Sequence, residues 1–458
     1  MMFESFVDEI ALEIEEIEER HSRAESVHQR FRYAVRTILL DCWKASKSIP
    51  VRKCQINRRS NYYSSTNRYA DPNLAYRQVT QAFEGLLNLG LIFIERQGYY
   101  DRQAFSGGLT QYIPTKKLLE RLTALEGHPA LSVETNLSTS EMVLLRDRVS
   151  GRRMIVPYED DEVTTGYRDN LIVINSEYAK HWIDLRIPDK EVPVLAKLYK
   201  RDEDKQPIDF SKRYLYRVFT RGSFEKGGRF YGGWWQNVKK QYRPYITIDG
   251  DFTTERDYSQ LHPHLMYFSV NKKMGKEDAY GRVFDGEHRD LVKVAFNAMT
   301  TAETTLISCP TGLNLTGYDF TWRELRQRII NAHKPIEHLF FKGEGVNLQY
   351  EDSQIVQDIL LQSCAEKAPV YPIHDSFIVK KQSSDALEEM MRRAIHDRYG
   401  EDIPIDQKLT VEPTPLYKED GTSNIEELVK EDRAYSQWFD RNTLWLFNKG
   451  KSESSRTR

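Results

Sequence analysis

The segment APVYPIHDSFIVKK, residues 368–381, largely decides the fold of this chain. Its two apolar runs flank His374, Asp375 and Ser376, which is typical of a β-hairpin with a carboxylate in its turn. A second segment, TTERDYSQLHPHLMYF at residues 253–268, predicts a strand that ends at Asp257 and leads into a helix. Two carboxylates that are far apart in sequence, each at the end of a strand, can meet at one pair of metal ions.

The segment EHRDLVKVAFNAM, residues 287–299, lies between these two and predicts a helix. Arg289 and Lys293 are four residues apart and therefore share one helix face, where paired cations suit a triphosphate. Asn297 extends that face by one turn. A carboxylate, a basic helix and a second carboxylate, in this order, match the needs of two-metal phosphoryl transfer.

These segments resemble motifs A, B and C of palm-domain polymerases, in the superfamily of family A DNA polymerases and single-subunit phage-type RNA polymerases. The resemblance covers roughly residues 205–415. Asp257-Tyr258-Ser259-Gln260 is similar to family A motif A, whereas Leu261-His262-Pro263 is closer to the Leu-Tyr-Pro of family B. His374-Asp375-Ser376-Phe377 resembles motif C of phage-type RNA polymerases, and Gly228-Arg229-Phe230-Tyr231 resembles their Gly-Arg segment near the template. Motif B departs from the family A pattern, because Asn297 stands where an aromatic residue is expected.

The resemblance implies an α+β fold with a right-hand palm core and a reduced fingers region. It implies that Asp257 and Asp375 bind two Mg²⁺ ions, with Mn²⁺ as an alternative, and that His374 hydrogen-bonds the primer end. A histidine that only satisfies its own hairpin is the other interpretation. The residues implied to bind the nucleotide are Arg289, Lys293, Asn297, His262 and Tyr258, the last through its backbone carbonyl at a metal.

The motifs disagree about the sugar. Motif C and the Gly-Arg segment favour an RNA polymerase, and motif A favours a DNA polymerase. His262 stands where the family places a residue under the sugar of the incoming nucleotide, so the ring either excludes a 2′-hydroxyl or accepts a hydrogen bond from it. We expect exclusion, and hence a DNA polymerase of a plasmid, phage or integrated mobile element.

Other functions remain open at this stage. They are an RNA polymerase or primase with the same palm, a two-metal nuclease, and a non-catalytic DNA-binding replication initiator or regulator. A transition-metal site at Asp257, His262 and His264 is a weaker alternative, since imidazoles there more often line a wall.

Residues 205–245 contain ten basic and two acidic residues, a local net charge of +8, together with eleven aromatic residues. Cations interleaved with aromatic rings are typical of a groove that holds phosphates and stacks bases. A structural aromatic core with a charged rim is the alternative. The residues predicted to contact nucleic acid are Arg229, Lys226, Lys239, Lys240 and Arg243.

Residues 1–127 are predicted to form a helical and winged-helix domain. VTQAFEGLLNLGLIFIERQGYY, residues 79–100, indicates a helix that ends near Gly90, then a strand and a glycine turn. A winged helix places one helix in the DNA major groove, but such domains also dock proteins. The preceding stretch, residues 51–70, carries five Arg or Lys residues and no acidic one, which suits either a phosphate contact or a solvated loop.

The remaining expectations concern boundaries and surroundings. Residues 128–204 are predicted to be a linker and the entry to the core, 205–448 the palm and fingers, and 449–458 a disordered tail. Asp352 and Ser353 are predicted to cap a helix N-terminus. A net charge of −2 excludes a uniformly basic protein, and four cysteines without metal-site spacing favour a reducing cytoplasm. We expect nucleic acid and nucleoside triphosphates as partners and no membrane.

Overall fold

A computed structural model describes residues 2–19, 23–101, 106–125, 141–202, 206–275, 277–408, 411, 433–443 and 445–446. The protein combines α-helices with β-sheets, as the predicted α+β class requires. Its buried apolar side chains form two clusters, one within residues 3–122 and one that runs from residue 142 to 403 and includes Ile49. The predicted disordered tail, residues 449–458, lies outside the described residues.

The first cluster is built from four helices and five short strands. A close approach of the first and third helices depends on Gly85, where a Cβ atom would lie 2.3 Å from Ile14. The third helix ends at Asn88, and Gly90 follows with φ of +66°, the left-handed conformation that favours glycine at this point. The elements are α1 (Met2–Ile17), α2 (Glu25–Ser46), β1 (Cys54–Ile56), α3 (Tyr76–Asn88), β2 (Ile92–Arg96), β3 (Tyr99–Asp101), β4 (Ser106–Gly108), β5 (Thr110–Pro114) and α4 (Lys116–Thr123).

Strands β1, β5 and β2 form one antiparallel sheet in that order, and β3 pairs with β4. The predicted succession of helix, strand, turn, strand and helix is therefore present from α3 to α4. Assignment of this unit to the winged-helix class remains a prediction.

The basic stretch at residues 51–70 is largely neutralised by acidic residues from other segments. Arg52 lies 2.7 Å from Asp41 and 3.0 Å from Asp209, and Arg68 lies 2.9 Å from Glu141. Two of these partners, Glu141 and Asp209, lie beyond the first cluster in sequence, so the stretch joins the two parts of the chain. These ion pairs give no support to the interpretation as a phosphate contact.

The second cluster begins inside the predicted linker, which is a correction to the sequence analysis. Its elements up to residue 202 are β6 (Val143–Val149), β7 (Arg152–Ile155), α5 (Glu162–Tyr178), β8 (Ile183–Leu185) and α6 (Val192–Arg201). The acidic run at residues 159–162 is exposed and leads directly into α5. Asp161 caps α5, since its side chain accepts the backbone N–H of Thr164 at 2.7 Å.

Residues 206–408 complete the second cluster. The elements are β9 (Tyr216–Thr220), β10 (Ser223–Tyr231), β11 (Ile246–Ile248), β12 (Asp251–Tyr258), α7 (Leu261–Ser269), α8 (Arg289–Thr301), α9 (Trp322–Ala332), α10 (Gly345–Ala365), β13 (Tyr371–Ile373), β14 (Ser376–Lys380), α11 (Ser384–Tyr399) and β15 (Ile405–Gln407).

Two sheets organise these elements. One has the order β10-β9-β6-β7, and its β6 and β9 run parallel. The other has six strands in the order β13-β14-β12-β11-β8, with β15 also paired to β12, and all its pairs are antiparallel. Strand β12 is thus central, with β14 paired along one edge and β11 and β15 along the other. Across the described parts of the chain, we find no helix with the length and apolar character that a membrane span requires.

Two buried histidines should make the fold sensitive to acid. Burial lowers the pKa of both His264 and His333 to about 4, against an ordinary value of 6.5. Only the unfolded chain then takes up these protons between pH 6.5 and 4, so the free energy of unfolding should decrease as the pH falls through that window. At pH 5 the loss should be about 2 kcal/mol per histidine. Urea denaturation at pH 7 and pH 5 measures it.

His264→Leu is the variant that tests the cause, because leucine cannot titrate. We expect the variant to lose about half as much stability as the wild type on going from pH 7 to pH 5. An identical loss in both proteins would show that other groups are responsible.

Candidate active site

The two predicted metal aspartates come together at one end of the central strand. Asp257 is the penultimate residue of β12 and pairs in register with Ser376, the first residue of β14. Asp375 immediately precedes Ser376, in the turn of the predicted hairpin, where His374 has φ of +58°. The hairpin and the strand end are therefore where the sequence analysis expects them, and their carboxylates are neighbours.

Side chains from other segments hold this hairpin in place. Pro372 accepts hydrogen bonds from Trp235 Nε1 at 3.0 Å and from Gln236 Nε2 at 3.2 Å. Tyr178 donates to the carbonyl of Val370 at 2.5 Å. The turn that carries Asp375 is thus fixed by α5 and by the segment after β10, and neither anchor was recognised in the sequence.

The local charges make a cation favourable here. Burial raises the pKa of Asp257, and the negative charge of Asp375 raises it further. Lys408, which follows β15, opposes both effects with its Nζ atom 2.9 Å from Asp257 Oδ2. Among the described residues, Asp375 accepts no hydrogen bond and has no ion-pair partner. Two crowded carboxylates, one of them uncompensated, are the kind of oxygen donor that Mg²⁺ prefers.

The chain supplies only part of a metal coordination shell. The described residues contain no group of three or more His, Cys, Asp or Glu side chains arranged to hold a metal ion. The weaker sequence hypothesis of a transition-metal site at Asp257, His262 and His264 therefore gains no support. His264 is buried, and His262 engages other partners.

A buried ion cluster that the sequence analysis missed lies close by. Asp352 is fully buried, and its carboxylate accepts Arg229 Nε at 2.9 and 3.1 Å. His262 Nε2 lies 2.8 Å from the same carboxylate and 3.1 Å from Arg229 Nη2. The cluster joins β10, α7 and α10. The prediction of an N-cap at Asp352 and Ser353 is wrong, because α10 begins at Gly345 and both residues lie about two turns inside it.

A second buried arginine supports this cluster. Arg217 donates to the carbonyl of Gly228 at 2.7 Å and to Ser353 Oγ at 2.8 Å. Burial lowers the pKa of Arg217 to about 10. Gly228 has φ of +74°, and a Cβ atom there would lie 2.7 Å from a ring carbon of Phe219. A side chain at position 228 would therefore collide with neighbouring protein atoms.

The predicted basic helix face is present on α8. Arg289, Lys293 and Asn297 are exposed at successive turns of that helix. Arg289 donates to Asp278 at 2.8 and 3.0 Å and lies 5.4 Å from the ring of Tyr280. Burial raises the pKa of Tyr280, and the charges of both Arg289 and Asp375 act on it as well. Tyr280 therefore contacts Arg289 of the basic helix, and its pKa also responds to the charge of Asp375.

Of the remaining residues predicted to contact substrate, His374 has a side chain without a hydrogen bond to the described residues, and Tyr258 has a side chain that bonds to the protein. His374 is exposed and makes no side-chain hydrogen bond within the described part of the chain, which leaves its ring available. Tyr258 is buried and donates to the carbonyl of Met391 at 2.6 Å, so only its backbone is available for the predicted role.

Much of the basic and aromatic segment points inward, contrary to its prediction as a nucleic-acid groove. Lys239 pairs with Asp202 at 2.7 Å, and Arg243 pairs with Glu255 at 3.0 Å. Arg229 belongs to the buried cluster. Lys226 and Lys240 remain as predicted phosphate contacts. Five of the eleven aromatic residues are buried, as the alternative of a structural core predicts: Phe219, Phe230, Trp234, Trp235 and Tyr242.

Comparisons with known proteins give limited guidance. No family model matches the sequence, and no curated protein matches it. Among solved structures, the chain is similar to the POL domain of Pol1 from M. smegmatis, in a complex with DNA primer-template and dNTP. The TM-score is 0.30 at 11% sequence identity, over 82% of this chain and 80% of that one. Similarity at this level assigns neither a fold nor an activity.

Removal of the buried carboxylate should destabilise the protein strongly. Asp352→Ala leaves the guanidinium of Arg229 buried without its counter-charge, which should cost about 3–5 kcal/mol of unfolding free energy. Asp358→Ala is a matched control on the same helix, because Asp358 forms a surface pair with Arg398 and should cost at most about 1 kcal/mol. Urea denaturation of both variants measures the difference. Equal losses would show that the buried cluster has no special role.

Proposed function

We propose that the protein is a nucleic-acid polymerase that adds nucleotides to a 3′ end by two-metal phosphoryl transfer. The observation that carries this proposal is the meeting of Asp257 and Asp375 at one end of β12 and β14. The order of the motifs along the chain supports it, since the basic face of α8 comes between the two aspartates in sequence. The charges of Arg289 and Asp375 both act on the pKa of Tyr280.

Asp257 and Asp375 would hold the metal ions, because their carboxylates are adjacent and their negative charges repel. When bound, two Mg²⁺ ions activate the attacking 3′-hydroxyl and stabilise the leaving pyrophosphate. Mg²⁺ commonly takes one or two carboxylates from a protein and completes its shell with water and substrate phosphates. A site with two protein carboxylates therefore suits a metal ion that binds together with a triphosphate.

The other residues position the substrates. Lys293 and Arg289 would hold the triphosphate from the face of α8, with Asn297 one turn further along. The exposed ring of His374 would contact the primer end beside Asp375. Lys293, Asn297 and His374 are exposed, whereas Arg289 must exchange its pairing with Asp278 for the phosphates.

The contacts of His262 favour deoxynucleotides. A ring that blocks a 2′-hydroxyl must stay in place, and Asp352 and Arg229 both lie within bonding distance of His262 Nε2. This restraint supports the DNA polymerase over an RNA polymerase or primase. A ring free to rotate would discriminate less between the two sugars.

Neutralising either aspartate should abolish nucleotide addition. Asp257→Asn and Asp375→Asn each remove one charged metal ligand, and the expected loss is on the order of a thousand-fold or more, or about 4 kcal/mol in the barrier. Primer extension with Mg²⁺ and deoxynucleotides measures the rate.

Asp251→Asn is the matched control, since Asp251 begins the same strand and pairs with Lys380 away from the turn. It should retain near-normal extension. Extension by Asp257→Asn at the rate of the control would refute the proposed function. If neither the wild type nor any variant extends the primer, the protein is a nuclease or a non-catalytic initiator. Cleavage and binding assays on the same DNA distinguish these two functions.

The sugar preference gives a second test. His262→Gly removes the ring that is proposed to exclude the 2′-hydroxyl, so ribonucleotide incorporation should increase relative to deoxynucleotide incorporation. The lost discrimination should be on the order of 1–3 kcal/mol, about 10- to 200-fold. Competition between the two nucleotides in primer extension measures the ratio. A wild-type preference for ribonucleotides would instead identify an RNA polymerase or primase.

A further inference from the structure

The β6–β7 hairpin displays an unusual set of charges. Its strands are joined by Ser150 and Gly151, both with positive φ, as in the tight turns that connect hairpin strands. Strand β6 pairs with β9 only through residues 143–145, and Gly222 in the β9–β10 turn donates to the carbonyl of Arg146. The hairpin continues beyond that turn, and every residue of β7 is exposed. It therefore projects from the edge of the four-stranded sheet.

One face of this hairpin carries three arginines. Arg148 lies directly opposite Arg153, and Arg146 lies opposite Ile155, so all four side chains share a face. The three arginines are exposed, and none of their guanidinium groups pairs with a carboxylate among the described residues, whereas the backbone N–H of Arg148 donates to Asp147 at 2.7 Å. Asp147 lies on the opposite face, against Gly222.

Protection of a sheet edge does not explain this arrangement. A single charge is enough to prevent pairing at an edge strand. Like charges directly across two strands destabilise the pair, so Arg148 opposite Arg153 has a cost that edge protection does not require. An external polyanion would turn that repulsion into attraction.

The arginine face is continuous with the candidate active site. By the register of β6 with β9 and of β9 with β10, Arg146 shares its face with Tyr216 and Tyr231. The positive charge of Arg146 acts on Tyr216, and the ring of Tyr231 lies 6.0 Å from that of His374. Strand β6 runs parallel to β9, so Arg148 lies six residues beyond the level of Tyr216, roughly 20 Å along the sheet.

We propose that the β6–β7 hairpin grips the phosphate backbone of a nucleic-acid duplex that extends from the candidate active site. Duplex DNA offers the densest line of phosphates, about one charge per 1.7 Å, which suits three uncompensated arginines. The span from Tyr216 to Arg148 corresponds to about six base pairs at 3.4 Å each. The connection to the active site rests on the proposed function, whereas the hairpin contact itself does not.

The test uses the full-length Arg148→Gln/Arg153→Gln variant and fluorescence anisotropy with labelled duplexes over a range of salt concentrations. Loss of two phosphate contacts should weaken binding of a duplex of about 12 base pairs on the order of tenfold or more at 0.1 M salt, and should reduce the slope of log K against log[salt] by about 1.8. A duplex of about 4 base pairs bound at the active site should not reach the hairpin, so the variant and the wild type should bind it equally.

Arg392→Gln/Arg393→Gln is the charge-matched control, since both arginines are exposed on α11. It should bind the longer duplex like the wild type. The Arg148→Lys/Arg153→Lys variant keeps both positive charges, so its slope of log K against log[salt] should stay close to that of the wild type. The glutamine variant should unfold at the same temperature as the wild type or at a higher one, because a repulsive pair has been removed.

The outcomes separate this inference from the proposed function. Equal binding by the wild type and the glutamine variant, or equal weakening in the control, would overturn the hairpin contact and leave the polymerase proposal standing. A wild type that binds duplex through the hairpin but adds no nucleotide would overturn the polymerase proposal alone. A wild type that binds no duplex would overturn both.

Discussion

The structure depends on neutralising one buried carboxylate, that of Asp352. A charged group that is removed from water is tolerated only when it is paired and hydrogen-bonded. Its partners Arg229 and His262 come from β10 and α7, so α10 can pack only when both elements are in place. His262 lies at the start of the helix that follows β12, five residues after Asp257. The same ion cluster that allows α10 to pack therefore also fixes the direction in which the chain leaves Asp257.

Charge counting and charge placement give different descriptions of this protein. The local excess of +8 at residues 205–245 suggests a surface for nucleic acid, but Arg217 and Arg229 support α10 from beneath, and Lys239 and Arg243 neutralise nearby acids. Arginine suits such interior positions because its planar group makes several directed hydrogen bonds and stays charged. Arg146, Arg148 and Arg153, which form no ion pair among the described residues, lie on the β6–β7 hairpin, within a segment, residues 146–153, whose local net charge is +3. A net count along the sequence cannot separate these cases, because the acids that neutralise a cation are distant in sequence.

The parts of the site that sequence predicted are those set by local pattern. Alternating apolar runs around a His-Asp-Ser turn predict a hairpin, and a four-residue spacing places Arg289 and Lys293 on one helix face. Asp352 was misassigned because an Asp-Ser pair before an apolar run has the local pattern of an N-cap, whereas its true partners are 90 and 123 positions away. Residues 128–204 were predicted to be a linker and the entry to the core because the first part of this segment is polar and lacks a regular apolar pattern. The capping pattern of Asp161 and Thr164 was the available signal for α5.

The carboxylate pair sets a condition on how a metal ion can be retained. Lys408 pairs with Asp257, whereas Asp375 forms no ion pair among the described residues and lies near enough to Arg229 for its charge to raise the pKa of that arginine. A metal ion that binds both aspartates must compete with the ammonium group, and from the chain it gains two carboxylates only. Water and phosphate oxygens must fill the remaining positions of a shell that Mg²⁺ requires to be octahedral. Under the proposed function, a free ion is therefore held weakly, and an ion that arrives on a triphosphate is held by the aspartates and, through its phosphates, by the basic face of α8. Under that proposal, the metal ion and the nucleotide bind together, because the triphosphate supplies metal ligands that the described residues do not.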